Sequence, residues 1–466
     1  MRKIVYLLPF TLLLCALTPS DSLKEWLSDD MFIPANVGVA VYDMTDGKYI
    51  MEENSEKVLT VASTQKLLST AIALNSFPSD HQFETQIGYT GTIKDGSLYG
   101  EIYIYPNYNP TLGSKRFNRN LNEIINVIKS WLKQNNLKVL RGVKVIDPTL
   151  TAETLPRTWI WEDIGNYYGA NPAGTIINEN ILELEFKSGA PDEPTEIVKT
   201  TPNLPLLKIT NRVTGSTDQR DQAYAFGGPY GRGMTVHGTI PANRKNFKVK
   251  ASLQNPQMAL AYMVFKALEK EGILMKGRYG AWDQPKKKKV NIFGVVKSAP
   301  LRAIVKETNF KSVNILAENL LQNSYLASGS LIGQGEWAKK YLKEKLGVNV
   351  TGMRLKDGSG LSHFNAVSAK QLVEVLLSMK DIKAFTKSLP VAGESGTVRS
   401  FMKNAKINGS ITCKSGSMQG VRSYAGYLKN TSGKQFSFAI VVNDADANEE
   451  KVKKKIEELL SYIGGL

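Results

Sequence analysis

A serine and a lysine one helical turn apart indicate a nucleophile and its base. In the stretch "VASTQKLLSTAIAL" (Val61–Leu74), Ser63 precedes Lys66 by three positions, and an apolar helical pattern follows at once. Residues at i and i+3 share one face of a helix, so the ammonium group can reach the hydroxyl. To act as the base, the lysine must lower its pKa from about 10.4 to about 7, which requires roughly 4 to 5 kcal/mol. Burial on an apolar helix and a second cation nearby, for which Lys414 is the candidate, both lower a lysine pKa.

A serine–lysine tetrad alone is too common to predict an active site, but its combination with two more short motifs is specific. The chain holds two other copies, Ser130–Lys133 and Ser400–Lys403, for which a solvated surface pair is the ordinary interpretation. The motif "SVN" at Ser312–Asn314 opens an apolar helical pattern, and "KSGS" at Lys414–Ser417 lies between a predicted strand and a predicted hairpin. A decoy "KSG" occupies Lys187–Gly189 in a turn-rich region. In the order S-x-x-K, S-x-N and K-[ST]-G, the three motifs are those of serine β-lactamases and penicillin-binding proteins.

The elements that must bring these motifs together follow from hydrophobic periodicity and turn residues. The pattern predicts helices from about residue 62, at 117–134, across much of 301–387 and at 448–463. It predicts strands at 37–43, within 83–105, at 139–146 and near 411–414, and a hairpin of 422–428 and 436–442. Between about 170 and 250 the chain is rich in Pro, Gly, Thr and Asn, which indicates a small β-domain. The stretch "DQPKKKK" (Asp283–Lys289) is interpreted as a loop or a domain boundary.

Longer stretches around the motifs resemble one family. They are "SVNILAENLL" (Ser312–Leu321), "DGSGLSHFN" (Asp357–Asn365), "LPVAGESGTVRS" (Leu389–Ser400), "KSGSMQGVRSYAGYL" (Lys414–Leu428) and "TWIWEDIGNYYGANPAG" (Thr158–Gly174). The chain resembles the class C low-molecular-mass penicillin-binding proteins, the D-alanyl-D-alanine carboxypeptidases and endopeptidases, over nearly its whole mature length. The 246 positions between Lys66 and Ser312 agree with that family, which is similar in carrying two extra domains there.

The resemblance implies an α+β fold, an α/β sandwich of the penicillin-binding and β-lactamase type with two nested, largely β inserted domains. It implies a penicillin-binding domain made of 21–84 and 296–466, which follows a signal peptide that the N-terminal pattern places at 1–20. The second domain would comprise 85–168 and 251–295, and the third would comprise 169–250.

The resemblance also implies how the chemistry runs. Ser63 would attack the carbonyl of a D-alanyl-D-alanine peptide while Lys66 takes its proton. Ser312, with a hydroxyl that bridges Lys66 and Lys414, would relay a proton to the leaving group. Water would then release the acyl-enzyme, and a β-lactam would enter the same path and stall there.

Substrate binding is implied for the remaining motif residues. Asn314 would donate an amide hydrogen bond to the substrate, and Lys414 and Ser415 of the K-S-G motif, which Gly416 completes, would hold the carboxylate of the terminal D-alanine. The backbone N–H of Ser417 would face that of Ser63 and complete an oxyanion site.

Some positions depart from the family pattern. Ser415 stands where the family usually has threonine, which keeps the hydroxyl and loses a methyl group. His363 stands where an arginine usually follows "DGSGLS", and "YNPTL" (Tyr108–Leu112) replaces "GDPTL". In related enzymes His363 and Met418 would lie near the side chain of the stem peptide, so they form a candidate side-chain pocket whose preference stays open.

The remaining composition excludes several other classes of protein. The net charge is +16, but the lysines are scattered or bunched without interleaved aromatics, which disfavours nucleic-acid binding. Three separated histidines, His81, His237 and His363, and no H-E-x-x-H motif argue against a zinc enzyme, and no cofactor is expected. The expected partners are peptidoglycan stem peptides and β-lactam antibiotics.

The N-terminus has the pattern of an export signal. Arg2 and Lys3 precede the apolar run Ile4–Leu17, which is shorter than the roughly 20 residues that span a bilayer. Cleavage near Ser20 would remove Cys15 and leave Cys413 as the last cysteine, with no stable membrane span. The protein is therefore expected in the periplasm or on the outer face of the bacterial cell envelope.

Three functions remain open at this point. A DD-peptidase fits all three motifs, a β-lactamase is disfavoured by the large insertion, and a wall-binding protein without catalysis would not need the motifs intact. The sequence does not separate carboxypeptidase from endopeptidase activity, and it leaves the diamino acid of the stem peptide and the oligomeric state open.

Overall fold

The structure, a computed structural model, describes residues 18–285, 289–405 and 408–466. The predicted signal peptide lies almost wholly outside these residues, as do Cys15 and three of the lysines in the "DQPKKKK" stretch.

The described strands are, in chain order, β1 (Asn36–Asp43), β2 (Lys48–Glu53), β3 (Val58–Leu59), β4 (Glu84–Tyr89), β5 (Thr92–Lys94), β6 (Ser97–Tyr105), β7 (Val139–Ile146), β8 (Ile181–Lys187), β9 (Glu196–Thr201), β10 (Lys208–Ser216), β11 (Gln222–Phe226), β12 (Gly233–Pro241), β13 (Phe247–Ser252), β14 (Leu274–Met275), β15 (Tyr279–Trp282), β16 (Asn291–Lys297), β17 (Val367–Ser368), β18 (Gly409–Met418), β19 (Val421–Asn430) and β20 (Gln435–Asn443). The α-helices are α1 (Pro19–Leu27), α2 (Lys66–Ser76), α3 (Asn122–Gln134), α4 (Trp161–Ile164), α5 (Pro256–Lys270), α6 (Leu301–Phe310), α7 (Asn314–Ala327), α8 (Gln334–Leu346), α9 (Ala369–Met379), α10 (Lys383–Thr386) and α11 (Glu449–Gly464).

A five-stranded sheet lies between two layers of helices, and the first and last helices of the described chain, α1 and α11, pack on one of its faces. Its strand order is β18-β19-β20-β1-β2. Successive side chains of a strand point to opposite faces, and in β1 they enter two different cores. Val39 and Val41 pack in the core that contains residues of α1 and α11, whereas Ala40 packs in the core that contains residues of α2, α8 and α9.

The part of the chain between α2 and α6 builds a second body of sheets. The strands β14-β7-β6-β4-β16 form one sheet, and β13-β8-β9 and β10-β12-β11 form two smaller ones. One core of buried residues runs through all three sheets and takes in the apolar faces of α3 and α5, including Ile128 and Leu260. This continuous burial fixes the inserted strands relative to the helices that cover them.

The α+β class predicted from the sequence is confirmed, with two local differences. The third helix begins at Asn122 rather than near Phe117, because Lys115–Phe117 form a 3-10 turn and Asn118 has a left-handed φ of 55°. The "KSGS" motif lies inside β18, where Lys414 pairs with Ala425 of β19, and not between a strand and a hairpin. We propose for this architecture the three-domain division predicted above.

Within 18–285, 289–405 and 408–466, no helix combines the length and the apolar character that a bilayer crossing requires.

Candidate active site

The structure brings the three motifs to one place. Ser63 lies in a 3-10 turn that leads directly into α2, and Lys66 opens that helix. Lys66 Nζ donates a hydrogen bond to Ser63 Oγ at 2.8 Å. On the facing side, Lys414 Nζ of β18 donates to Ser312 Oγ, just before α7, at 3.0 Å. Two serine–lysine pairs from distant parts of the chain therefore share one site.

Packing holds these side chains in position and enforces two strained backbone conformations next to them. Leu67 and Leu68 on the turn after Lys66 are at most 1% exposed. Ala62, next to Ser63, has φ of 47°, and Ser312 has φ of 58°. Residues other than glycine rarely adopt such left-handed values, each of which costs about 1–3 kcal/mol and persists only where surrounding contacts enforce it.

Burial changes the protonation of both lysines. Lys66 and Lys414 are each 0% exposed. Burial lowers the pKa of Lys66 to about 7, against the opposing effect of two nearby carboxyl groups. The pKa of Lys414 lies well below its usual range, because of burial and then because of the positive charge of Lys66. At neutral pH a neutral amine is therefore available beside the Ser63 hydroxyl.

Burial is the main cause of the lowered Lys66 pKa, and the carboxyl groups of Asp357 and Glu318 oppose it. The repulsion between Lys66 and Lys414 lowers the pKa of Lys414, so the two amines do not both carry a proton easily. The expected bridge through Ser312 is made on the Lys414 side. In the described chain, the hydrogen bonds of Lys66 go to Ser63 Oγ and to the carbonyl oxygen of Ser359, 2.7 Å away.

A buried glutamate fixes the loop that receives the second hydrogen bond of Lys66. Glu318 of α7 accepts from the backbone N–H of Gly358 at 2.9 Å and from that of Ser359 at 2.7 Å. Burial, and then the negative charge of Asp357, raise the pKa of Glu318 to about 8. Glu318 thus positions the carbonyl group against which Lys66 Nζ rests.

Asp357 ties the same loop to the inserted part of the chain. Its carboxylate accepts from Trp159 Nε1 at 2.8 Å, from Asn365 Nδ2 at 2.8 Å, from Gln65 Nε2 at 3.1 Å and from the backbone N–H of Ser362 at 2.6 Å. A carboxylate with this many donors holds one conformation of the loop. The segment that contains Trp159 therefore contacts the loop on which Lys66 rests and is part of the site.

The same inserted segment also engages Asn314. The Asn314 amide, predicted to bind substrate, donates from Nδ2 to the carbonyl oxygen of Tyr168 at 2.8 Å. Ile315 on the next position packs in a small core with Ala170 and Ile176. The start of α7 is therefore fastened to the inserted segment.

The predicted carboxylate site lies along β18. Ser415 Oγ donates to Thr397 Oγ1 at 2.9 Å, and Lys414 Nζ also donates to the carbonyl oxygen of Ser415 at 2.5 Å. The hydroxyls of Ser415 and Thr397, together with the buried Lys414 amine, make this end of the site polar. This hydroxyl pair exists because Ser415 keeps the oxygen that the family's threonine would supply.

Gly416 allows β18 to approach the nucleophile closely. A Cβ at this position would lie 2.3 Å from Ser423 Oγ, 2.6 Å from the Val61 carbonyl oxygen and 3.0 Å from the backbone nitrogen of Ser63. Only glycine fits this space. The backbone of β18, in which Ser417 comes next, thus runs against the backbone of Ser63, as an oxyanion site between two N–H groups requires.

The candidate side-chain pocket gains an acidic residue. Met418 ends β18 and is partly buried, while His363 is exposed and its carbonyl oxygen accepts from Thr60 Oγ1 at 3.1 Å. Burial raises the pKa of Asp163 to about 6, and the charge of the nearby His363 acts in the opposite direction. Asp163 is therefore an acidic residue in the neighbourhood of His363.

The decoy motifs lie elsewhere and are solvated. Ser130, Lys133, Ser400 and Lys403 are all exposed, and Lys187 ends β8 with its side chain in solvent. Burial of the lysine distinguishes the Ser63 pair from both other copies of the same spacing.

Two other potential reactive groups are accounted for. Cys413, adjacent to Lys414, is buried, and burial raises the pKa of its thiol to about 12, so it stays protonated. Across the residues that the structure describes, no group of three or more His, Cys, Asp and Glu side chains has the arrangement of a metal site.

Several residues of the site were missed from the sequence, although some were present in the quoted stretches. Glu318 follows Asn314 by four positions and is a charged residue in an otherwise apolar helix, which is a usable signal. Trp159 and Asp163 lie far from every motif in sequence, and nothing local marks them. Thr397 carries no local signal either.

A buried serine–lysine pair, a second pair at the start of a facing helix and a sheet edge behind them define a class of enzymes. These are the serine enzymes that form acyl intermediates with D-alanyl peptides or penicillins, the penicillin-binding proteins and serine β-lactamases.

Comparisons with known proteins narrow this class. A family model described as the D-Ala-D-Ala carboxypeptidase 3 (S13) family matches residues 20–462. D-alanyl-D-alanine carboxypeptidase DacB of Haemophilus influenzae is 26% identical over 446 residues, with 92% of this chain and 89% of the relative covered. A D-alanyl-D-alanine carboxypeptidase of Actinomadura sp. is also 26% identical over 446 residues, with 91% and 80% covered. The crystal structure of penicillin binding protein 4 from Haemophilus influenzae superposes with a TM-score of 0.78 at 22% identity, covering 95% of this chain and 98% of that one.

The chain belongs to the D-Ala-D-Ala carboxypeptidase 3 (S13) family. It is a low-molecular-mass penicillin-binding protein and a serine-type DD-peptidase, and the class predicted from the three motifs is confirmed.

The lysine pKa predicts how the reaction depends on pH. We expect the rate of acylation by a soluble penicillin to rise with pH through about 7 and to level off above it, because Lys66 accepts a proton only after losing its own. In an Asp357→Asn variant the midpoint should move to lower pH, because the negative charge that raises the Lys66 pKa most strongly is gone. Acylation rates measured across the neutral range test both statements. A midpoint that moves to higher pH in the variant contradicts the second.

Proposed function

We propose that the protein is an exported enzyme that trims peptidoglycan through an acyl intermediate on Ser63. Its substrates are stem peptides ending in D-alanyl-D-alanine, and the same site also acts on cross-links between D-alanine and a diamino acid. The observation that carries the proposal is the pair of hydrogen bonds from two buried lysines to two serines, 2.8 Å and 3.0 Å long, at one site.

Acylation in this proposal begins at the Lys66 amine. Neutral Lys66 Nζ takes the proton of Ser63 Oγ while that oxygen attacks the carbonyl carbon of the penultimate D-alanine. The negative charge that develops on the carbonyl oxygen is held by the backbone N–H groups of Ser63 and Ser417. The bond from that carbon to the leaving nitrogen breaks as the nitrogen takes the Ser312 hydroxyl proton. The proton that Lys66 gained then returns to Ser312, which Lys414 contacts, so Lys66 is neutral again. Water then hydrolyses the ester and restores the Ser63 hydroxyl.

Recognition of the free carboxylate is assigned to the β18 end of the cleft. Lys414 Nζ donates to the carbonyl oxygen of Ser415, and the Ser415 hydroxyl donates to Thr397 Oγ1. The negative charge of an arriving carboxylate favours the charged form of Lys414 and so offsets part of the pKa lowering that burial causes. This requirement favours substrates with a free carboxylate on the residue after the scissile bond, which a terminal D-alanine, a diamino acid with a free carboxylate at the cross-linked carbon and a penicillin each supply, over ordinary internal peptide bonds.

Digestion of defined muropeptides tests the proposed function. Pentapeptide monomers and cross-linked dimers are incubated with the enzyme, and the products are identified by mass. Release of free D-alanine from monomers and conversion of dimers to monomers report the two activities separately. A protein that labels with penicillin and yet leaves both substrates intact would contradict the proposal, and rapid turnover of the penicilloyl-enzyme would make it a β-lactamase.

The pocket around His363 makes a prediction about stem-peptide side chains. Asp163 is 8% exposed and lies by the exposed His363, so the pair suits a side chain that ends in both an amine and a carboxylate. We expect Asp163→Asn to raise KM about 10-fold, the cost of one charged hydrogen bond of about 1.5 kcal/mol, for a stem peptide with a free diamino-acid amine. The same peptide with that amine acetylated should show no such change. Equal losses on both peptides would place Asp163 in a structural role.

A further inference from the structure

Aromatic side chains cover the outer face of one inserted sheet beside the cleft. Trp161 of α4 is 59% exposed and Tyr224 of β11 is 40% exposed. The ring of Phe226 lies 6.4 Å from Trp161 and 5.7 Å from His237, measured between ring centroids. We call these four residues the aromatic face. Large exposed apolar side chains grouped in this way usually mark an interaction site.

Strand register explains why the rings share one side of the sheet. Tyr224 pairs with His237 across β11 and β12, and Phe226 follows Tyr224 by two positions, which returns to the same side. Ala225 and Val236, which alternate with them, are 0% exposed and point into the core. The buried side of the sheet supplies the core packing. The exposed side does not need aromatic residues for folding.

Polar groups accompany the rings. Arg212 of β10 pairs with His237 across the parallel strands and is exposed, and Thr235 of β12 pairs with Phe226. The face thus combines flat apolar rings with a guanidinium, an imidazole and a hydroxyl at its edges. Sugar rings present apolar C–H faces and a rim of hydroxyl and amide groups, which match this combination. A polyanion would instead call for several cations together.

The aromatic face adjoins the catalytic cleft. Trp161 follows Trp159 by two positions, so their Cα atoms are at most about 7 Å apart. Trp159 donates to Asp357 in the loop that contacts Lys66. Tyr224 lies near enough to Tyr168 to contribute to its raised pKa, and the Tyr168 carbonyl oxygen holds Asn314.

We propose that the aromatic face binds the glycan strand whose stem peptide occupies the cleft. The proposal rests on the proposed function, because a stem peptide joins its D-alanine end covalently to a chain of N-acetylated hexosamines. Five extended residues span at most about 17 Å, so the sugars must lie close to the site whenever a peptide is bound. Trp161 and Tyr224 stack on the sugar rings, and Arg212 donates to their N-acetyl carbonyl groups.

Binding to peptide-free glycan strands tests the surface without any catalysis. Full-length protein is mixed with glycan strands from which an amidase has removed the peptides, and binding is followed by tryptophan fluorescence or co-sedimentation. Trp161→Ala and Tyr224→Ala should each weaken binding at least 5-fold, and Trp161→Phe should restore most of it. Tyr99→Ala is the matched control, because Tyr99 is a 48% exposed tyrosine of β6 away from this sheet. Binding that is unchanged in both alanine variants, or lost equally in Tyr99→Ala, overturns the proposal.

Kinetics separates this proposal from the proposed function. With glycan-linked pentapeptides, kcat/KM should fall at least 5-fold in Trp161→Ala and Tyr224→Ala, while a short acylated peptide ending in D-alanyl-D-alanine is cleaved within 2-fold of wild type. Equal losses on both substrates would assign these residues to folding or to the cleft and overturn the proposal. A wild type inactive on both substrates would refute the proposed function, and the glycan-binding result would still decide this one. Stronger binding to polyphosphate than to glycan would identify a polyanion site instead.

Discussion

A Ser63→Ala variant is expected to take up no fluorescent penicillin and to lose roughly 10⁴-fold or more of its D-alanine release, as serine enzymes do when the nucleophile is removed. The loss follows because the Ser63 hydroxyl is the oxygen beside the Lys66 amine, and alanine offers no atom that could form the ester. The fold should survive, since Ser63 is only partly buried and Lys66 keeps its hydrogen bond to the Ser359 carbonyl oxygen. Gel fluorescence after penicillin labelling and circular dichroism measure the two effects separately.

The chain supplies its own controls for this experiment. Ser130→Ala and Ser400→Ala remove the serine from the other two S-x-x-K tetrads, whose side chains are exposed. Both variants should label and hydrolyse as wild type does. Label that persists in Ser63→Ala would move the nucleophile elsewhere and would refute the acyl-enzyme assignment.

The sequence predicted the reacting groups because their spacing is local. Ser63 and Lys66 lie three positions apart at the start of a helix, so the backbone geometry alone brings an amine to a hydroxyl. The strand that carries Lys414 was likewise predicted from its own apolar pattern. The prediction that the three motifs meet in space came from the family resemblance. Periodicity could not give it, because no local rule joins positions 66, 312 and 414.

The groups that tune the lysine were not predictable in the same way. Glu318, Asp357 and Trp159 reach Lys66 only through long-range packing of α7, of the loop after α8 and of the inserted segment. The burial that lowers the Lys66 pKa is equally a property of the whole fold, since it depends on what covers the helix. An apolar helix face predicts burial of its apolar residues, whereas full burial of a lysine depends on the elements packed against it.

The extent of β18 shows a limit of turn chemistry. Ser and Gly in "KSGS" favour a loop by composition, and the motif nevertheless continues the strand as far as Met418. Antiparallel pairing with β19 from Gly409 to Met418 overrides that preference, because alternate residues gain ladder hydrogen bonds that a loop would leave to solvent. The strand in turn places Gly416 against Ser63, so the override is part of how the site is built.

Replacing Lys66 by methionine should separate activity from stability. Methionine has nearly the same length and no charge, and general-base catalysis contributes about 10² to 10⁴-fold, so acylation by penicillin should slow by about 10³-fold. The free energy of unfolding should change by less than about 2 kcal/mol, because two effects oppose each other. The Ser359 carbonyl oxygen loses its hydrogen bond, and the fold no longer bears the cost of burying an amine. Labelling rates and denaturant unfolding provide the two measurements, and Lys133→Met on the exposed decoy pair is the control for both.

The combination of outcomes in Lys66→Met identifies the base. A large loss of rate with an intact fold means that the buried amine takes the Ser63 proton. A rate within 10-fold of wild type would instead assign that proton to the second pair, Lys414 and Ser312, whose amine also has a pKa well below its usual range. The two lysines differ in one respect that bears on this choice. Lys66 already donates to Ser63 Oγ, whereas Lys414 contacts Ser312, so the shorter proton path runs to Lys66.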